Sequence, residues 1–337
     1  MEGRGPWYLT YRRLRSNRFA LAALALFLAI GAFVLAAPLW ADWVAHTGPN
    51  ETHTTEKIEV GGEKREVVNS DGTPIGPVWL DAGGRFFLGA DGRLGRDEMV
   101  RLMYGGRTSL AIGVGATVIT TLLALALALL AGYYRGWVDT AISRVLDVVW
   151  AFPVMLLGIA LGTALAISGI DIGPLTISGG STWLPLLIIG FVLVPYMARP
   201  LRGEALALRE REFVEAAEAQ GSGPLRVMLN ELLPNLLPTA IVLATLNVVN
   251  AMLLEAGLSF LGAGVQEPDS SWGSMVAEGV EVLATTPLLT ILPGLMILLT
   301  VLAVNVFGDA LRDATDPRSK VHLESHTGSY EPDRRAV

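Results

Sequence analysis

The chain has 337 residues, 52% of them hydrophobic and only 17% charged, with a net charge of −7 and no cysteine. Soluble domains carry about a quarter charged residues, so an ordinary soluble fold is excluded. A nucleic-acid-binding face needs a basic stripe that is missing here, and disulfides and thiolate metal sites are ruled out by the lack of cysteine.

The first segment, 1–18, carries Arg4, Arg12, Arg13, Arg15 and Arg18 and no lysine. An apolar run at 19–39 follows, long enough to cross a bilayer. A cleaved signal peptide also starts basic and then apolar, but its apolar core is about 7–15 residues, shorter than 19–37. We therefore read the run as a first transmembrane helix, 19–40, with Trp7, Tyr8, Trp40 and Trp43 as interfacial anchors.

Residues 46–88 are polar and rich in turn signals. Lys57-Ile58-Glu59-Val60 and Arg65-Glu66-Val67-Val68 alternate as strands do, and Gly61-Gly62 between them reads as a hairpin turn. The expectation is a small β-rich extracytoplasmic insert within 41–106, serving packing more than binding. Five further spans follow, at 109–131, 145–167, 183–197, 239–261 and 288–307.

Orientation follows from the basic residues. Arg135 and Arg144 lie between spans two and three, and Arg199, Arg202, Arg209, Arg211 and Arg226 between four and five. Arg312, Arg318, Lys320, Arg334 and Arg335 fill the tail, 311–337. The connections 168–182 and 263–287 have no lysine or arginine and hold Asp171, Glu267, Asp269, Glu278 and Glu281. This alternation places both termini in the cytoplasm of a multi-pass protein of the cell membrane.

Chemistry of the chain's own is missing. A P-loop needs a lysine after its glycines, and Lys57, Lys64 and Lys320 are not so placed. His46, His53, His322 and His326 lie outside the spans, and H-E-x-x-H is absent.

The informative stretch joins spans four and five. Residues 204–219 are strong helix formers, Gly221 can end a helix in the left-handed region, and Pro224 suits a new first turn. Pro234 and Pro238 are expected to limit that second helix. The segment reads as helix, sharp turn, helix.

Glu215-Ala216-Ala217, Gly221 and Leu233-Pro234 resemble the EAA loop, E-A-A-x3-G-x9-I-x-L-P, of binding-protein-dependent ABC importer permeases, with Glu231 departing at the Ile position. Asp91, Gly95-Arg96-Asp97 and Gly106-Arg107-Thr108-Ser109-Leu110 are similar to the peptide-type branch, which includes dipeptide, oligopeptide and nickel permeases. So are Ala131-Gly132-Tyr133, Leu258-Ser259-Phe260-Leu261-Gly262, Trp272-Gly273-Ser274-Met275, Gly308-Asp309 and Asp316-Pro317-Arg318. The resemblance covers most of 1–40 and nearly all of 86–320.

What the resemblance implies is an all-α membrane protein of type I ABC importer permease architecture. A core at 107–310 would contain a coupling loop at 201–237. Glu215, Ala216, Ala217, Gly221, Leu233 and Pro234 would dock an ATPase subunit. Partners would be a second related permease, two ATP-binding subunits and an extracytoplasmic substrate-binding protein. This chain would bind no cofactor, ATP and Mg being used by the partners. Di- or oligopeptides are the expected cargo, with nickel or another small solute as the alternative.

Within the spans, a glutamate at the bilayer centre costs about 3 kcal/mol, so Glu255 should face protein or water. Asn247, Asn250 and Glu255 fall within roughly 140° of one helix circumference. They and Asn305 either line the pathway or bond helix to helix. Gly113, Gly115, Gly158 and Gly162 are read as close-packing positions. An ion-coupled transporter would show inverted repeats, and a membrane enzyme would need a nucleophile or metal constellation; neither is seen.

Overall fold

The computed structural model describes residues 6–92, 94–173 and 175–315. Arg4 and the tail residues Asp316, Pro317, Arg318, Lys320, His322, His326, Arg334 and Arg335 lie outside the described residues, as does the Trp7 side chain.

Helix α1 (Pro6–Ser16) leads into α2 (Arg18–Leu35). Asn17 starts α2 by accepting from the N–H groups of Phe19 and Ala20 at 3.0 and 3.2 Å, which satisfies two donors that have no partner within the helix. The run continues through α3 (Ala37–Trp40) and a π-turn (Ala41–Ala45), and stops at His46 with φ 50°.

The insert follows. Strands β1 (Lys57–Val60) and β2 (Glu63–Glu66) pair antiparallel, with Val60 opposite Glu63 and Lys57 opposite Glu66. Gly61 and Gly62 have φ +60° and +87°, the backbone a two-residue hairpin turn requires. That turn sets the register, so pairing ends at Glu66, short of the strand expected over 65–68. Among the described residues the insert is one hairpin plus the bridges Val68–Pro74 and Ala90–Asp97, joined by turns. Ile58, Val60, Val67, Val78, Phe86 and Ala90 form its small core.

Arg85 clasps Glu56 at 2.8 and 3.1 Å, and His53 Nδ1 lies 2.6 Å from the same carboxylate. The Arg85 hydrogen bond holds the Glu56 carboxyl below its ordinary 4.5. This contribution is therefore present above pH 4.5 and lost as pH falls through the depressed value. Glu56→Gln is expected to flatten that acid limb, read as amide hydrogen exchange of residues 47–87 against pH.

Helix α4 (Glu98–Tyr134) is the central pillar. Its 37 residues would span roughly 55 Å at 1.5 Å per residue, well beyond the hydrocarbon core. Asp97 caps it, accepting from Val100 N–H at 3.1 Å. Beyond it come α5 (Gly136–Ala151) and α6 (Val154–Ser168), which meet at 86°. The third span, read from sequence as continuous over 145–167, is thus broken. Pro153 cannot donate to a helix and pushes Phe152 to φ −87°, ψ 137°.

A two-stranded hairpin, β3 (Ile170–Ile172) with β4 (Leu175–Ile177), precedes α7 (Trp183–Val192) and α8 (Val194–Arg209). Next are α9 (Glu212–Ala219), α10 (Pro224–Val227), a π-turn (Met228–Leu232) and α11 (Leu233–Phe260), then α12 (Trp272–Val280) and α13 (Leu288–Thr315). Contrary to the expected stop at Pro234 and Pro238, Pro224–Phe260 passes as one helical run. The widened turn at Met228–Leu232 contains Asn230, the residue whose carbonyl the Pro234 ring would strike four residues back, while Pro238 is carried within α11. Among the described residues, five helices are long and apolar enough to cross a membrane, six if the bent α5–α6 pair forms one span.

Small residues let α4 approach its neighbours. A Cβ at Gly132 would come within 2.6 Å of Ala205 on α8, and one at Gly115 within 2.7 Å of Leu186 on α7. A larger side chain at Gly132 would press on Ala205 Cβ and backbone and force α4 and α8 apart, whereas at Gly115 the Leu186 side chain would have to shift.

Candidate functional site

The α8–α11 connection is built as a knob. Helix α9 ends in paired hydrogen bonds, Ser222 N–H to Ala217 C=O at 3.0 Å and Gly221 N–H to Glu218 C=O at 2.8 Å. Gly221 at φ +84° supplies the left-handed residue this stop requires. Val214, Val227, Leu232 and Leu236 are fully buried in one cluster with α4, α5 and α8 residues. Ala217 and Leu233 pack on that cluster, while Glu215, Ala216, Gly221 and Pro234 are exposed. The sequence-predicted residues therefore divide into an anchored edge and a free one.

Arg209 fixes the knob to the bundle. Its guanidinium donates to Glu218 at 2.7 and 2.9 Å and lies over the Tyr133 ring, 5.2 Å from its centroid. The other α8 arginines pair with α5: Arg199 with Asp147 at 2.8 Å, and Arg202 with both oxygens of Asp139. Sequence reading counted these arginines for topology and missed their bracing role. Nothing in local spacing ties Arg202 to Asp139, 63 positions away. Beside the knob, Pro224, Leu225, Arg226 and Leu229 line a shallow, mostly apolar cavity of about 500 Å³.

Two polar residues of α11, Glu255 and Asn247, point into this chain. Glu255 is buried and accepts from Ser109 Oγ on α4 at 2.9 Å and from Ser259 Oγ at 2.8 Å. Ser109 Oγ in turn accepts from Trp272 N–H at 3.1 Å, so one carboxylate joins α4, α11 and α12. Asn247, fully buried, donates to Thr117 on α4 at 3.2 Å. Asn250 and Asn305 are half-buried, and their side chains make no hydrogen bond among the described residues. Glu255→Ala is expected to cost about 1–3 kcal/mol for each hydroxyl left without its acceptor, measured as thermal stability in detergent, with Glu255→Gln recovering most of it.

A second cluster escaped the sequence reading. Arg96 and Arg101 are buried at the head of α4 and converge on Glu278 of α12, Arg96 at 3.1 Å and Arg101 at 2.8 and 2.9 Å. Asp91 pairs with Arg96 from the insert. Burial pushes the Glu278 carboxyl up, and the Arg101 and Arg96 guanidiniums pull against that rise. Through Arg96, which also pairs with Asp91, the knot ties the end of the insert to α12 across 182 positions of sequence. No group of metal-ligating side chains is found among the described residues.

Comparison with known proteins supplies a family and a fold. Residues 124–321 match the family described as binding-protein-dependent transport system inner membrane component, and 5–57 match the N-terminal TM domain of oligopeptide transport permease C. The dipeptide transport system permease protein DppC of Alkalihalophilus pseudofirmus is 34% identical over 94% of this chain and 91% of its own length. The di/tripeptide transport system permease protein DppC of Pseudomonas aeruginosa is 37% identical over 90% and 89%. The glutathione transport system permease protein GsiD of Pectobacterium atrosepticum is 32% identical over 94% and 93%. Among solved structures, an inward-facing form of the MetNI methionine ABC transporter superposes with a TM-score of 0.51 at 17% identity. It covers 64% of this chain and 96% of that one.

Proposed function

The chain belongs to the family of binding-protein-dependent transport system inner membrane components, and from that premise we propose that it forms half of the pathway of an ATP-driven peptide importer whose ATP is hydrolysed by separate subunits. Both termini and the knob at 212–221 lie on the cytoplasmic side, where a motor subunit can reach them. A second, related permease completes the pathway, two ATP-binding subunits work with Mg below, and a binding protein delivers cargo from outside.

The observation that carries this reading is the α9 knob. A helix closed at Gly221 and clamped by Arg209 is already ordered, so docking costs little conformational entropy. Val214 and Val227, buried in the bundle, make the same element continuous with α4 and α8. Motion imposed on the knob passes to the spans as rigid-body rocking, which is the alternating-access step. Glu215 and Ala216 offer one charge and one close-approach surface on the free edge.

Peptide cargo rests on the dipeptide and di/tripeptide permeases among the relatives, and nickel or another small solute is the alternative. Affinity purification of the tagged chain in mild detergent, with identification of bound subunits and uptake assayed with the recovered binding protein, tests the assignment. Recovery of an ATP-binding subunit and ATP-dependent dipeptide uptake are expected. Transport by the chain without any such subunit would contradict it.

A further inference from the structure

The insert packs against the end of the first predicted span. Helix α2 and its continuation carry Leu28, Leu35, Leu39 and Trp43 exposed at spacings of seven, four and four residues, one outward stripe on a predicted span. At its end Trp43 is 77% exposed. From the insert, the turn at 78–87 presents Trp79 and Leu80 at 54% and 72% exposure.

These two surfaces are continuous. Phe87 takes the Trp40 ring edge-on at 5.6 Å and the Trp79 ring edge-on at 5.3 Å, a three-ring ladder from the end of the span to the insert. Gly84 lies so close to Val44 that no side chain fits between them. Trp79 holds φ +54°, a strained conformation for a bulky residue, and hydrogen bonds from Trp79 N–H to Phe87 C=O at 3.1 Å and from Val78 N–H to Phe86 C=O at 3.3 Å lock it there. With this backbone an indole and a leucine are exposed beside a helix whose apolar side chains are also exposed.

We propose that the 78–87 turn lies in the bilayer, with Trp79 and Leu80 seated at the headgroup–acyl boundary of the leaflet that α2 leaves. Indole rings favour that boundary, apolar body inward and N–H toward water. The acidic Asp42 and Asp81, both exposed next to the apolar residues, stop the turn from sinking deeper. Arg85, the neighbouring cation, is occupied by Glu56. The attraction is therefore apolar, and a zwitterionic bilayer suffices. This holds whichever cargo the protein carries.

The chain has no cysteine, so a nitroxide can be placed uniquely at the exposed positions Leu80→Cys and, as a hairpin control, Lys64→Cys. The full transporter is reconstituted in phosphatidylcholine nanodiscs, and collision of each label with oxygen and with a water-soluble nickel chelate is measured. At position 80 the oxygen-to-nickel ratio is expected to be several-fold higher than at 64. Equal ratios at the two sites would overturn the proposal by placing the turn in water. Low accessibility to both reagents at 80 would overturn it by showing a protein partner over the turn instead of lipid.

Discussion

Glu278→Ala is expected to destabilise the protein by about 3–5 kcal/mol, the range for removing one partner of a buried ion pair. The carboxylate serves two guanidiniums at once, Arg96 at 3.1 Å and Arg101 at 2.8 Å. Arg101 is fully buried, and its Nε and Nη1 have no hydrogen-bond partner among the described residues. Without Glu278, Asp91 is left as the nearest acid, with its closest oxygen 3.9 Å from Arg101 Nε. An uncompensated charge in that position favours opening the seam between the head of α4 and α12. Glu278→Gln should fall between the two, keeping one acceptor oxygen for the guanidiniums but losing the charge and the second acceptor. Thermal unfolding in detergent, followed by tryptophan fluorescence, measures all three; Trp272 is a suitable reporter because its N–H groups bond Ser109 and Leu102 inside the same seam.

The second large effect falls on the knob. Gly221→Pro is expected to abolish recovery of the ATP-binding subunits and reduce uptake to background while leaving the chain in the membrane. Proline fixes φ near −65°, against the +84° that Gly221 adopts. It also removes the N–H that bonds Glu218 C=O. Helix α9 then loses its stop and the free edge loses its shape. Glu215→Arg should give the same loss of coupling by charge reversal on an exposed side chain, without strain in the fold. Agreement between the two separates a docking defect from misfolding, and equal membrane levels on immunoblots are the control.

Much of this architecture could be read from the sequence because bilayer crossing imposes long apolar runs, and the helix–turn–helix at 204–233 is signalled by local residues. Gly221, Pro224 and the Glu/Ala-rich stretch each act within a few positions of themselves. The Gly61-Gly62 hairpin was visible for the same reason. Local rules failed where the outcome depended on neighbours. Pro153 sits within an apolar run whose hydropathy alone suggests one continuous span, yet the chain turns by 86° there. Pro234 signals a stop, but a widened turn ahead of it carries the helix through. The Arg96–Arg101–Glu278 knot and the Arg209–Glu218–Tyr133 clamp join residues from different helices, and no single-chain periodicity announces such partners. Glu255 was recognisable as a buried cost but not as the acceptor for Ser109, 146 positions away.

The most direct test uses a single cysteine at Glu215→Cys, on a chain that has none of its own. In sealed membrane vesicles of known orientation, the account predicts labelling by an impermeant maleimide only from the cytoplasmic face. It also predicts that a short bifunctional crosslinker joins this position to an ATP-hydrolysing subunit. Labelling from the opposite face, or a crosslinked product that never includes a nucleotide-binding protein, would contradict it.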